Sequence, residues 1–329
     1  MRTLFVGCGD HGSKTLLPAA LSVGISVTAL VDSNYDEVCR LAGLWSIPDA
    51  YASVDDVDPG RFDAVVIALP IAAQSALAAW ALSNHLHTFV EKPPAPDPPG
   101  LRALAEKARQ SGVMCRVGMN FRWAEGVLTL LAKVDSGRFG QVSYARVVHI
   151  ARKPVEPFSE GLSFEASLFH AQGIHAIDLA TVLMPSTVTV SGQLLAVQRG
   201  RLCIVAGDNS QDGQRFEATF GSCAAGFYHQ LDVITSTGDI LQLRNLSELV
   251  HLPNGGDIDV DEYPGARVLW RRSPIGGGYA AAGYAPELAA FRDLVGGRPT
   301  PRLATVADLL PVYEAFDEVL ITRGLKWTA

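Results

Sequence analysis

The chain lacks the features that would make it a nucleic-acid, membrane or disulfide-stabilised protein. Positive charge is scarce, with 27 Lys and Arg against 34 Asp and Glu for a net charge of -7. That balance disfavours a broad cationic face for nucleic acid or anionic lipid and makes a small molecule the expected partner. Cysteine is sparse too: Cys8, Cys39, Cys115, Cys203 and Cys223 are odd in number, widely spaced and never Cys-x-x-Cys. Neither a disulfide framework nor a zinc site is indicated, and buried reduced thiols fit a cytoplasmic protein. The N-terminal run before Gly7 has one basic residue and is too short for a secretory core, so no export signal is expected.

Long apolar runs suited to a bilayer are also missing. Residues 64–90 carry no Asp, Glu, Lys or Arg, but Pro70, Gln74, Ser75, Asn84, His85 and His87 interrupt them. A buried strand, a turn and a buried helix describe that stretch better than a membrane span. Gly-x-Ser-x-Gly is absent, which removes the usual setting of a serine nucleophile. Asp257, Asp259, Asp261 and Glu262 lack the ordered pattern of a calcium loop, so no metal is expected.

What is present is a globular composition. Of 329 residues, 48% are hydrophobic and 19% charged, enough apolar surface for two cores at this length. Residues 3–6, 27–31, 64–69, 88–90 and 114–117 are apolar runs of strand length with little period-2 alternation. Helical patterns at 13–23, 35–42, 72–84 and 101–110 separate them, predicting repeated βα units and a doubly wound parallel sheet. Five prolines within residues 93–99 predict a stiff extended connector, with Pro99 suited to a helix start.

Beyond residue 120 the pattern changes. Helices are expected near 124–135 and 173–184 and a strand at 142–149, then strands at 188–197, 202–205, 216–220, 224–229, 232–235 and 240–243. Closing helices are expected near 286–295 and 306–321. Glycine-bearing segments at 253–256 and 276–278 read as turns. The fold class is therefore α/β, with an N-terminal domain over 1–120 and a second, mainly antiparallel domain over 121–329.

Gly7-Cys8-Gly9-Asp10-His11-Gly12 satisfies Gly-x-Gly-x-x-Gly between a predicted strand and a predicted helix. In that setting Gly7 permits the turn, Gly9 lets backbone amides approach a pyrophosphate, and Gly12 allows close helix packing. Asp32 lies 20 residues beyond Gly12 at the end of the second strand. An acid there accepts ribose hydroxyls and repels a 2′-phosphate, so NAD is favoured over NADP; Arg40 is the residue able to oppose that preference.

Glu91-Lys92-Pro93 closes the strand at 88–90, and carboxyl ends of strands are where open α/β sheets bind ligands. Taken in order with Gly7 to Gly12, Val117-Gly118-Met119-Asn120-Phe121-Arg122-Trp123, Gly173-Ile174-His175-Ala176-Ile177-Asp178 and Tyr284-Ala285-Pro286-Glu287-Leu288, this run gives the chain its resemblance to a known family. It resembles the glucose-fructose oxidoreductase, inositol dehydrogenase and rhizopine catabolism (Gfo/Idh/MocA) family over essentially its whole length. The resemblance implies a Rossmann domain, then an open mainly antiparallel sheet that commonly forms a dimer or tetramer contact.

The resemblance also implies roles. Lys92 matches the family lysine beside nicotinamide and substrate hydroxyl, Glu91 its supporting neighbour, and His175 the histidine usually assigned to proton transfer. Asp10, His11 and Glu91 join the three glycines and Asp32 as expected cofactor contacts. Arg122, His149, His170 and Gln172 are candidate substrate contacts. Alcohol oxidation by hydride transfer suits these types, because an ammonium stabilises a developing alkoxide and an imidazole accepts a proton at neutral pH.

Two positions depart from the family pattern. Ala171 stands four residues before His175, where an aspartate is common, and Ile71-Ala72-Ala73-Gln74 replaces an Asn-His pair after the strand ending at Leu69-Pro70. The expected function is NAD-dependent hydride transfer at a secondary alcohol or ketone of a sugar or cyclitol. Reduction of a keto sugar or imine, elimination or hydrolysis with recycled NAD, and a non-catalytic dinucleotide-binding regulator are the alternatives.

Overall fold

Strands β1 (Arg2–Val6), β2 (Ser26–Val31), β3 (Asp49–Tyr51), β4 (Ala64–Ile67), β5 (His87–Glu91) and β6 (Cys115–Gly118) form one parallel sheet in the order β3-β2-β1-β4-β5-β6. The computed structural model that shows this describes residues 1–185, 189–198, 200–209, 213–255, 265–275, 277 and 281–329. Residues 257, 259, 261, 262, 276 and 278, singled out above, lie outside that set, as do 188 and 256. β4 is buried at all four positions, as expected of a strand covered on both faces. Strand order reverses at β1 and β4, so the crevice at their carboxyl ends is the natural ligand position.

Helices α1 (Leu17–Ser22), α2 (Tyr35–Trp45), α3 (Ile71–Ser83) and α4 (Pro98–Ser111) connect these strands. α2 starts where Asn34 accepts from the Glu37 amide, and buries Val38, Leu41 and Ala42 on one stripe. α4 starts where Asp97 accepts from the Gly100 amide and ends at Gly112, whose φ of 71° suits glycine. The proline-rich stretch departs from expectation: residues 94–97 bend rather than extend, and Pro98 and Pro99 stand inside the first turn of α4. Their missing amides cost nothing there, since a first turn has no intrahelical acceptor to offer them.

The remaining strands form a second sheet. β7 (Val142–Ile150), β8 (Thr189–Val197), β9 (Gly200–Asn209), β10 (Gln214–Gly221), β11 (Tyr228–Thr235), β12 (Ile240–Arg244), β13 (Glu248–Leu252) and β14 (Arg267–Arg271) run in the order β14-β13-β12-β11-β7-β10-β9-β8. Every neighbouring pair is antiparallel except β7 and β10, which are parallel. Alternate residues Ala145 and Val147, Phe216, Ala218 and Phe220, and Leu231 and Val233 are buried. Helix α7 (Ile174–Leu183) lies along β7 and β10, while α5 (Glu125–Asp135) packs on β12, β13 and β14; α6 (Phe164–Leu168) precedes α7. Between the buried positions Asp232 pairs with Arg146 at 3.1 Å and accepts from Gln230 and Gln242.

Several sequence expectations for the two sheets are corrected. Residues 224–235 hold one strand, β11, rather than two, because Tyr228–Thr235 pairs with β7 along its length. β3, β13 and β14 were not expected from the residue pattern. β3 has three half-buried residues, and β14 is an edge strand with no buried residue.

The chain divides into two compact units, Met1–Trp123 with Gly278–Leu310, and Ala124–Gly277 with Pro311–Ala329. A single boundary near residue 120 therefore omits a return to the first unit. Helix α8 (Tyr284–Val295) accounts for it physically: Ala285, Leu288 and Phe291 join Leu17, Val66 and Phe89 in the first core, with the Phe89 and Phe291 rings 5.6 Å apart. The second unit closes with α9 (Leu310–Thr322), whose Phe316 stacks on Phe169 at 4.9 Å.

Candidate functional site

In the first unit β1 ends directly in the glycine loop. Gly7 has φ +104°, donates its amide to the Val31 carbonyl at 2.9 Å, and a Cβ there would stand 2.1 Å from the Ala68 carbonyl oxygen. A Cβ on Gly12 would stand 2.0 Å from the Gly7 carbonyl oxygen, so both ends of the loop exclude a side chain. Gly9 differs, since nothing lies within 4 Å of where its Cβ would be. It borders a cavity of about 450 Å³ whose lining includes Ser13, Lys14, Asn34, Glu37 and Arg40. The helix leaving the loop begins with a π turn, Gly12–Leu16, before α1.

Asp32 sits just past β2 with its carboxylate fixed from both sides. Oδ2 accepts the Cys8 amide at 2.7 Å and Oδ1 accepts the Asn34 amide at 2.9 Å. Each oxygen keeps a second lone pair for a ribose hydroxyl. Arg40 is committed elsewhere: Nε and Nη2 each donate to Glu37 at 2.7 Å, and this fork holds the Glu37 carboxyl below the usual carboxylate range. The open space at Gly9 and the oriented Asp32 carboxylate fit a dinucleotide. The loop amides are suited to its pyrophosphate and Asp32 to its ribose.

Asp10 and His11 take different places around that loop. Asp10 pairs with Lys14 at 2.6 Å on the exposed rim. His11, though exposed, stands with its Nε2 3.5 Å from Glu91 Oε1 and its ring edge-on to Tyr284 at 5.4 Å. Burial and the nearby Glu91 and Glu287 carboxylates push the Tyr284 hydroxyl well up. Glu91 is buried, and its Oε2 accepts the Lys92 amide at 3.0 Å. A Cβ on Gly118 would stand 2.9 Å from Glu91 Oε1, so the small residue on β6 makes room for this carboxylate. Arg122 is buried on the turn after β6, its amide donating to the Met119 carbonyl.

Gln74, marked above only as a departure, has a definite function. Its Oε1 accepts the Leu69 amide at 3.0 Å, and Nε2 donates to the carbonyls of Glu91 at 2.5 Å and Pro93 at 2.7 Å. One buried amide thus joins the loop after β4 to both sides of Lys92. Gln74→Leu keeps the volume but strands three backbone groups, and is expected to destabilise the protein by about 2 to 4 kcal/mol. Urea denaturation checks this; a loss below about 0.5 kcal/mol would show that water replaces the amide.

In the second unit His175 lies in the first turn of α7, after a π turn over Phe169–Gly173. Such turns recur at functional sites, because the extra residue re-aims the side chains that follow. Gly173 lets the turn approach the sheet: a Cβ there would stand 2.7 Å from the Phe220 ring. His175 is buried, and its ring stands at 88° to that of His149 on β7, with centroids 6.0 Å apart. His149 in turn lies opposite His229 on β11, with their Nδ1 atoms 3.4 Å apart. Phe227 packs against both. Burial, and then His149, hold the His229 imidazole well below its ordinary pKa. The two Nδ1 atoms are within reach of one hydrogen bond, and the ring tautomers set which donates and which accepts.

The structure therefore brings His149 and His175 together and sets His170 apart. His170 is buried among Phe169, Tyr313 and Trp327, with centroids 5.6, 6.3 and 5.6 Å away. Gln172 is also internal, donating to the Lys153 carbonyl at 2.9 Å. Among the described residues no group of three or more His, Cys, Asp or Glu side chains is arranged to hold a metal ion. No helix there is long and apolar enough to cross a membrane.

Comparison with known proteins gives the chain its relatives. Residues 1–119 match the model described as the oxidoreductase family, NAD-binding Rossmann fold (GFO_IDH_MocA). A dehydrogenase from Chromobacterium violaceum superposes with a TM-score of 0.89 at 25% identity, over 98% of this chain and 96% of that one. Over residues 1–119 the chain matches the Gfo/Idh/MocA oxidoreductase family, and over nearly its whole length it shares the fold of that dehydrogenase. Among curated members, the NAD(+)-dependent scyllo-inositol 2-dehydrogenase of Bacillus subtilis is 30% identical over 160 residues, 48% of this chain and 45% of the relative. D-apiose dehydrogenase of Rhizobium rhizogenes is 21% identical over 198 residues, 59% of this chain and 56% of the relative. The matches thus span about half the length of these curated relatives.

The NAD-binding family model covers residues 1–119, and the cavity beside the glycine loop holds more than the motif foretold. Lys14 borders the cavity from the first helical turn, two residues beyond the last loop glycine. That short spacing was a usable signal. His229 gave none, being one histidine inside a strand pattern; only the register of β7 against β11 places it by His149.

Proposed function

We propose that this protein transfers a hydride between NAD and a secondary alcohol or ketone of a small polar substrate of the sugar or cyclitol type. The observation that carries the reading is the carboxyl edge of the first sheet. There the open Gly9 cradle, the fixed Asp32 carboxylate and Lys92 at the end of β5 all stand on one side. The names of the relatives, a scyllo-inositol and a D-apiose dehydrogenase, support the substrate class. NAD, when bound, supplies the hydride acceptor or, reduced, the donor.

The chain's own groups do the rest. Loop amides at the helix start hold the pyrophosphate and Asp32 orients the ribose. The Lys92 ammonium offsets negative charge growing on the substrate oxygen, and His175 takes the proton in oxidation and returns it in reduction. Gln74 and Glu91 fix the backbone on both sides of Lys92 and so position its side chain. The second sheet, with Leu195, Ile234 and Val268 exposed between polar pairs, is the surface we assign to self-association.

Calorimetric titration of nucleotide-free protein with NADH and with NADPH tests the ribose end. NADH should bind at least tenfold tighter, about 1.4 kcal/mol, because Asp32 repels a 2′-phosphate and Glu37 occupies Arg40. Tighter NADPH binding would overturn that assignment.

A further inference from the structure

The second unit holds a cavity of about 750 Å³, larger than the one beside the phosphate loop. Its lining includes Arg152, Pro154, Phe164, Arg201, Ser222 and Cys223, and no acidic side chain among the described residues. Two arginines facing one space without a lining carboxylate are conspicuous in a chain where acids outnumber bases. The cavity lies where the parallel pair ends, since β7 stops at Ile150 and β10 at Gly221, and the segments that follow them form its walls.

Both arginines stand on pinned backbone. The Ala151 amide donates to the Gly221 carbonyl at 3.1 Å, and the Lys153 carbonyl accepts from Gln172, so Arg152 is fixed on either side. The Arg201 amide donates to Ser222 Oγ at 3.3 Å and the Ser222 amide returns a bond to the Arg201 carbonyl at 3.0 Å. The Arg201 guanidinium lies 5.7 Å above the Phe164 ring, with Glu165 Oε1 3.8 Å from Nε and the Gly200 carbonyl 3.3 Å from Nη1. At that distance and about 41% side-chain exposure the Glu165 contact is a weak ion pair. Arg152 makes no ion pair among the described residues. Guanidinium groups match the paired oxygens of carboxylates and phosphates, and the Phe164, Pro154 and Val155 surfaces suit a carbon skeleton.

We propose that this cavity binds the anionic group, carboxylate or phosphoryl, of a small polyhydroxylated substrate. The inference rests on the hydride-transfer reading, and it makes the substrate an acid sugar or sugar phosphate rather than a neutral polyol. One bond links the cavity to the chemistry: Gln172, which holds the Arg152 loop through Lys153, lies in the π turn that leads into His175. Ala171, beside it, adds no carboxylate to repel such a ligand.

The test is calorimetric titration of the whole protein, with and without saturating NADH, using D-glucuronate, D-glucose 6-phosphate and D-glucose as probes. One of the two anions should bind at least about tenfold tighter than glucose, and the tighter one identifies the anionic group. Arg152→Gln and Arg201→Gln should each weaken that probe about tenfold while leaving NADH affinity unchanged, which shows that the variants fold. Equal binding of all three probes, no binding of either anion, or anion binding indifferent to both substitutions would overturn the proposal. If instead NADH fails to bind the wild-type protein, the hydride-transfer reading falls. The probe titrations without NADH then still decide the anion site.

Discussion

Lys92→Ala is expected to lower turnover roughly a hundred- to a thousandfold while NADH affinity stays within about threefold of wild type. The split follows from position. Lys92 is half-buried at the end of β5, its backbone held by Glu91 and by the Gln74 bonds to the carbonyls on either side. Deleting its side chain therefore leaves the support in place and removes a cation. The phosphate loop and Asp32, just past β1 and β2, remain to bind the dinucleotide. A cation facing a developing alkoxide acts mainly in the transition state, so the loss belongs in the catalytic rate rather than in cofactor binding. The measurement is steady-state oxidation of a sugar and cyclitol panel beside NADH titration of both proteins. Undiminished turnover would remove Lys92 from the mechanism, and joint loss of turnover and NADH binding would assign it to the scaffold.

The loop glycines should separate folding from binding in a way no single substitution can. Gly12→Ala places a methyl 2.0 Å from a backbone oxygen that belongs to Gly7, itself held at positive φ against Ala68. Nothing in that contact is a flexible side-chain end, so the loop or the helix must move, at a cost on the order of 3 kcal/mol or more. Gly9→Ala meets nothing within 4 Å and should leave the denaturation midpoint within about 0.5 kcal/mol of wild type. Its methyl would nonetheless stand in the space assigned to the pyrophosphate, and NADH affinity should fall about tenfold or more. Thermal or urea denaturation with NADH titration reads both effects. Tight NADH binding by Gly9→Ala would place the cofactor elsewhere.

Much of the first unit was legible because its physics is local. β4 is apolar at every position since both faces are covered, and the glycine loop and Asp32 are spaced by one βα turn. β3 escaped because three half-buried residues carry no pattern, and β14 because an edge strand buries little. The π turns at Gly12–Leu16 and Phe169–Gly173 were invisible for another reason. They insert one residue into an otherwise helical pattern, which sequence periodicity cannot distinguish from an ordinary helix. The proposed roles of Lys92 and His175 rest on short motifs. Gln74 and His229 act through partners 17 to 19 and 80 residues away, so strand pairing had to be known before their roles showed.

The return of residues 281–310 to the first unit sets the order of folding during synthesis. The six strands and the glycine loop of the first unit precede the second sheet in the chain, yet Leu288, Phe291 and Leu303 of its core are translated only after that whole sheet. Until then the surface that α8 covers around Leu17 and Phe89 is open on the nascent chain, the kind of transient apolar face that chaperones hold. A gene fragment ending at residue 120 would make that exposure permanent. A separable cofactor-binding piece therefore has to carry α8 spliced onto its end, through a linker that replaces the second sheet.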